Sequence, residues 1–206
     1  MDGLFVVDHA RMYANVLPLL SLLSLLSVSL ANPIEYQYTR QAKACFVVGN
    51  TALPTEVQTA VRSIQNAVTC SATVKTIGSV PDVSSGGVSF SSIDFTKSKQ
   101  SPLAFALQEF ATASPLASTD LKTFQDRLNV YVATEAGLRS TSGSLAIKVP
   151  KFFLSFQISR IQTAQGNPPT APGQQVDHLR DKVTKNAAGE SRALLDQVVA
   201  LARQLQ

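Results

Sequence analysis

Outside the first 31 residues the chain carries a single histidine, His178, in the segment VDHLRDK. Histidine is the commonest general base, but base catalysis also needs a nucleophile or a second acid held against it. Asp181 and Lys182 follow His178 at the spacing of local charge pairs along one helix edge, so His178 reads as a polar edge residue. Among the carboxylates, Glu135 in ATEAG lies close to the apolar side of a predicted helix. Two facing carboxylates would permit glycoside hydrolysis, whereas one partly buried acid reads as the partner of a lysine or of a helix end. The phosphate-cradling GxxxxGKS/T, the dinucleotide GxGxxG, the zinc-protease HExxH and the nucleophile elbow GxSxG are all absent from the sequence. The expectation is a protein that is not an enzyme, with no catalytic residue, no metal ligands and no cofactor.

Two cysteines, Cys45 and Cys70, are an even pair, and two cysteines with no histidine nearby make a poor zinc site. In an exported chain such a pair is expected to be bridged, which would stabilise the fold by about 3–4 kcal/mol in the chain-entropy description. Six phenylalanines, Phe105, Phe110, Phe124, Phe152, Phe153 and Phe156, fall in predicted helices. Helically spaced aromatics form core by default; the alternative is that they line a space for an acyl chain or another apolar ligand.

These residues are positioned by a predicted helical framework whose centre is SLAIKVPKFFLSFQISRIQTA, Ser144 to Ala164. On a helix, Leu145, Val149, Phe152 and Phe156 form one apolar stripe and Ile147, Leu154, Ile158 and Ile161 the opposite one. A thin polar lane of Lys148, Lys151, Ser155, Ser159 and Gln162 runs between them. Such a helix has neighbours on both sides. Pro54 to Cys70 reads as another helix, with Glu56 at its positive end and Val57, Val61, Ile64 and Val68 on one face. Bridging its far end to Cys45 requires CFVVGNTAL to run extended.

Ser71 to Gln100 has the glycine, proline and serine content of a loop, yet Val80, Val83, Val88, Phe90, Ile93 and Phe95 recur through it. It reads as a long ordered strap over the bundle, with at most one short strand in GVSFSSIDF. Ser101-Pro102 opens a short helix, and Ser114-Pro115 closes the region after it. A longer helix runs from about Thr119 to Arg139, and the final stripe from Gly173 to Leu205 is open to a break at Gly189. The expected fold class is mainly α: a helical bundle around a central apolar helix, with a long ordered loop and at most one short β piece.

Val16 to Ala31, VLPLLSLLSLLSVSLA, is an uncharged leucine-serine run ending in small residues. It is short and serine-diluted for a membrane span, which takes about 20 apolar residues, so residues 1–31 are expected to be a signal peptide and 32–206 a single helical secreted domain. Removing 1–31 would leave 17 basic against 12 acidic residues, a net charge of +5 in place of +4. No run of Lys and Arg forms a patch in the sequence, so the charge reads as solvated surface rather than a nucleic-acid footprint.

The leader ending SLANP, CFVVGNTALP, VPDVSSGGVSFSSIDF and TEAGLRSTSGSLAIKVPKFF together resemble the small secreted proteins of filamentous fungi. The resemblance is one of overall character and brings no site residue with it. It implies an extracellular interaction or effector-like protein with a partner at a cell surface. The alternative is a binder of lipid or another hydrophobic ligand, and neither reading involves nucleic acid or a stable transmembrane anchor.

Overall fold

The computed structural model describes residues 43–206. The expected leader and its cleavage site, with the NPIEYQYTR stretch behind it, lie outside the described residues.

Pro54 leads into α1 (Thr55–Ile64), where Glu56 in the first turn and Arg62 in the last suit the helix dipole and Val57, Val61 and Ile64 bury one face. The sequence reading carries this helix to Cys70; the structure ends it at Ile64, turns through 65–67 and continues as strand β1 (Thr69–Lys75). Thr69, Thr73 and Val74 are β-branched and suit extended backbone, and Cys70 lies opposite Val83 of β2 (Pro81–Ser85). The stretch before α1 is a second correction, because CFVVGNTAL is neither strand nor helix. It is irregular backbone pinned to the rest of the domain, chiefly by the following links. Cys45 is disulfide-bonded to Cys70, with Cα atoms 6.1 Å apart. Gly49 N–H donates to Ser140 Oγ at 2.8 Å, and Thr51 N–H donates to the Ser140 carbonyl at 2.9 Å. A Cβ on Gly49 would fall 1.9 Å from that carbonyl, so only glycine allows the approach.

The 71–100 region is more regular than its loop-like composition suggests. It completes an antiparallel sheet of order β1-β2-β3, with β3 at Val88–Ser89. Gly86 and Gly87, read as loop glycines, are the two-residue turn of the β2-β3 hairpin, with φ of 54° and 85°. Left-handed backbone at both positions is what a hairpin of matching twist requires. The apolar residues of the strap are indeed ordered and inside: Val80, Val83, Phe90, Ile93 and Phe95 are buried. Asp82 holds the hairpin's exit by accepting from Ser91 N–H and Oγ at 2.9 and 2.6 Å.

Helix α2 (Pro102–Glu109) is capped by Ser101 Oγ, and α3 (Leu121–Ser140) by the Asp120 carboxylate. The second half of α3 is buried on nearly every face, where its sequence shows a single apolar side. Its hidden contacts run through small residues that hydropathy passes over: a Cβ on Gly137 would lie 2.6 Å from the Phe46 carbonyl and 2.7 Å from the Val80 methyls. So β2, β3 and α1 pack against α3, as does α4 (Lys148–Ala164). Tyr131 of α3 donates its hydroxyl to the Ile93 carbonyl at 2.6 Å and meets Phe90 and Phe110 edge-on. Burial, and after it the Asp94 charge, pushes the Tyr131 phenol well above its ordinary range, so it stays a neutral donor. Tyr131→Phe leaves the buried carbonyl unpaired, and urea unfolding is expected to show a loss of about 1–3 kcal/mol at an unchanged m-value.

Helix α4 starts at Lys148, four residues later than expected, and leaves Leu145 exposed. Pro150 sits in its first turn, where a missing N–H costs nothing, so it starts the helix rather than kinking it. Of the expected polar lane, Lys148, Lys151, Ser155 and Gln162 are partly exposed and Ser159 is buried. Helices α2, α3 and α5 (Val176–Asn186) pack on α4. The final stripe is two helices, α5 and α6 (Arg192–Ala202), broken around Gly189 and restarted by the Ser191 cap. The described residues are thus mainly α, with one three-stranded sheet, and among them no helix is long and apolar enough to cross a membrane.

Candidate functional site

His178 is exposed in the first turn of α5. Its neighbours Asp177 and Asp181 are engaged by Arg180 instead, at 2.6 and 2.9 Å, so the charge pairs of this edge are built on the arginine. Glu135 is almost completely buried, and both its oxygens are held by cations. Arg139, one turn on, reaches Oε1 at 2.8 Å, and Lys151 of α4 reaches Oε2 at 2.6 Å. With three cationic N–H donors on its two oxygens, the carboxylate fastens α3 to α4.

The six phenylalanines form three groups. Phe105 and Phe110 meet edge-to-face at 5.8 Å, with the Arg127 guanidinium lying over Phe110 at 5.6 Å and over Phe124 at 5.4 Å. Phe153 and Phe156 pack at 6.0 Å, with Arg160 5.7 Å from Phe156. Phe152 lies under the Lys151 ammonium, 4.1 Å from it. Phe110, Phe153 and Phe156 are fully buried, Phe124 nearly so, and Phe105 and Phe152 partly.

Phe152 leads to the strongest site. It forms part of the wall of a cavity of about 730 Å³ where α1, α3, α4 and α5 meet, a size within the range of about 300–1,000 Å³ usual for small-molecule sites. Five cations line this cleft: Arg139 from the end of α3, Lys148 and Lys151 from the first turn of α4, and Lys182 and Lys185 from α5. Two acids face them, Glu56 and Glu135, leaving a formal excess of three positive charges. Glu135 is committed to Arg139 and Lys151. Lys148, Lys182 and Lys185 have no acidic partner among the described residues. Placing two lysines in the first turn of α4, with no acid there, also opposes the helix dipole, which favours anions at that end. A local rule broken this way has a cost in stability and marks a place where an anion would be welcome.

Part of the scattered charge of the sequence is therefore gathered in space on one cleft, where Lys182 and Lys185 stand exposed and Lys148 partly so. The signal was present as two lysine pairs at the same i,i+3 spacing, Lys148/Lys151 and Lys182/Lys185, each putting two ammonium groups on one helix edge. That the two edges face each other is decided by the packing of α4 on α5.

A second cavity, of about 460 Å³, includes Arg160, which is 2% exposed and has no acidic partner among the described residues. Its guanidinium donates to the carbonyls of Leu201 and Gln204, each at 2.8 Å, and to Gln157 Oε1. The negative end of α6 thus receives the charge, and Arg160 acts as a cap that ties α4 to the C-terminal helix. Burial lowers its pKa to about 10, which leaves it charged at neutral pH. Among the described residues no three His, Cys, Asp or Glu side chains gather where they could hold a metal ion.

Residues 47–206 match the family described as Domain of unknown function (DUF7143), and the chain belongs to that family. The matched span contains every residue of the basic cleft. No curated protein and no solved structure matches the chain.

Proposed function

We propose that this member of the DUF7143 family is a non-enzymatic binding protein that holds an anionic group in the cleft between α3, α4 and α5. The observation that carries this reading is the convergence of five cations on one cavity against two acids, with three lysines left without acidic partners among the described residues. Charge of one sign on low-dielectric walls attracts a counter-ion and fixes its position, and this needs no nucleophile or base.

The same proposal takes residues 1–31 as an export signal and 32–206 as a single domain that works outside the cell. The leucine-serine run supports it, and the Cys45–Cys70 bridge fits an oxidising compartment. The fungal small-secreted-protein character belongs to this reading, as does an extracellular or cell-surface partner that presents the anion. In architecture, the domain is a bundle organised on α4, a view supported by the packing of α2, α3 and α5 on that helix.

The test is an NMR titration with inorganic phosphate at low ionic strength. Wild-type protein should give a saturable response centred on Arg139, Lys148, Lys151, Lys182 and Lys185, weakened by added salt. Three exposed charge contacts, at about 0.2–1 kcal/mol each, together amount to about tenfold in affinity, so Lys148→Gln/Lys182→Gln/Lys185→Gln should bind about tenfold more weakly. Equal binding by wild type and triple variant, or no saturable binding, would refute the assignment.

A further inference from the structure

We infer that the basic cleft is the head-group half of a longer site whose ligand is a single-chain anionic amphiphile, an alkyl chain ending in a carboxylate or phosphate. This rests on the anion-binding reading above and extends it to the substance bound.

A separate cavity of about 390 Å³ lies beside the cleft, between α3, α4, α5 and the turn at Pro172–Gln174. Leu128, Ile158 and Leu179 give it apolar walls. The two spaces share Val132, Lys151, Phe152 and Gly173, so they meet along the Lys151–Phe152 edge of α4. At that junction the Lys151 ammonium is bound to Glu135 at 2.6 Å and lies 4.1 Å over the Phe152 ring, one face charged and the other aromatic. Five cations therefore stand at one end of a continuous lining, and the other end mixes aliphatic side chains with Ser155, Gln162 and Gln174.

A second observation points to an occupant of the apolar part. Ser159 lines that cavity, is 1% exposed, and its Oγ has no hydrogen-bond partner among the described residues. Neighbouring hydroxyls on the same helix are satisfied, Ser155 by the Lys151 carbonyl and Thr163 by the Ser159 carbonyl. Buried hydroxyls without partners are rare in native proteins, so this wall is incomplete as it stands. An inorganic anion would leave the space along Leu128, Ile158 and Leu179 unfilled, and a neutral hydrocarbon would leave Lys148, Lys182 and Lys185 unmatched. A ligand with one charged end and one chain satisfies both halves.

Calorimetric titration of the full chain distinguishes these cases. The probes are monododecyl phosphate, dodecanoate, inorganic phosphate and uncharged dodecyl maltoside, each below its micelle concentration. Each buried methylene adds to affinity, so monododecyl phosphate, dodecanoate or both should bind with one-to-one stoichiometry and at least about tenfold more tightly than inorganic phosphate and than dodecyl maltoside. A response to dodecanoate alone assigns a fatty acid, and a response to the alkyl phosphate alone assigns a lysophospholipid-type head. Ile158→Gln and Leu128→Gln, both at partly exposed positions, should abolish the chain-dependent gain and leave the inorganic phosphate affinity unchanged. Circular dichroism identifies a variant that has unfolded, and the other then decides. Equal affinity for alkyl and inorganic phosphate overturns this inference and leaves the anion site standing. Equal affinity for dodecyl maltoside and the charged amphiphiles overturns it as well, and loss of all phosphate binding overturns both readings.

Discussion

Glu135→Ala will lower the unfolding free energy by about 3–5 kcal/mol, the range for breaking a buried ion pair by removing one partner. Only 4% of the Glu135 side chain is exposed, and its cations are themselves mostly covered, Arg139 at 18% and Lys151 at 16%. Removing the carboxylate leaves two desolvated positive charges side by side at the junction of α3 and α4, with Lys148 lining the same cleft. Repulsion and lost hydrogen bonds then act in the same direction, and the cavity left by the side chain adds to them. Urea denaturation of wild type and variant measures the difference. A loss below about 1 kcal/mol would mean that the group behaves as an ordinary surface pair and does not join the helices. The variant Glu135→Gln carries a second, opposite expectation. It raises the formal excess in the cleft by one positive charge, so anion affinity should rise while stability falls. A purely structural glutamate would not produce that opposition.

Breaking the Cys45–Cys70 bridge, by reduction or by Cys70→Ser, should cost about 3–4 kcal/mol and lower Tm by about 10 °C. The bridge spans a sequence separation of 25 residues, and its loss returns the corresponding loop entropy to the unfolded chain. It also releases the irregular 43–53 stretch, whose other ties include the two hydrogen bonds to Ser140, one between the Thr51 and Ser142 hydroxyls, one from Gln58 to the Leu53 carbonyl, and the burial of Phe46. Calorimetry with and without reductant measures the shift. Limited proteolysis adds a local readout, because new cleavage should appear first in 43–53 rather than in α3 or α4. A Tm unchanged on reduction would show that Phe46 and the hydrogen bonds of this stretch hold it unaided.

How much of this was legible beforehand follows the range of the signal. The start of α2 was readable because a cap is a contact between a side chain and an amide two or three residues on, as Ser101 makes; the start of α3 was placed within two residues, while α4, which has no side-chain cap, was placed four residues early. Gly189 was legible as a point where the final stripe could break and the cysteine pair by count, whereas Pro150 was compatible with either a helix start or a kink. The end of α1 was not legible, since Val68 continues a helical apolar spacing and only the pairing of Cys70 with Val83 makes the next residues a strand. The Gly86-Gly87 turn looked like loop composition until its flanking strands paired.

The candidate site divides along the same line. Residue types and spacing determined by themselves that this chain lacks the familiar catalytic signatures, is mainly helical, and carries lysines in pairs along two helix edges. Tertiary structure alone decided that those edges face one cavity, that Glu135 is paired with two of its cations, and that Ser159 is buried beside a second cavity. The reason is physical: capping and periodicity act within a turn or two of chain, whereas a field of converging charge exists only once α3, α4 and α5 have packed, and nothing within any one of those segments encodes its distance to the others.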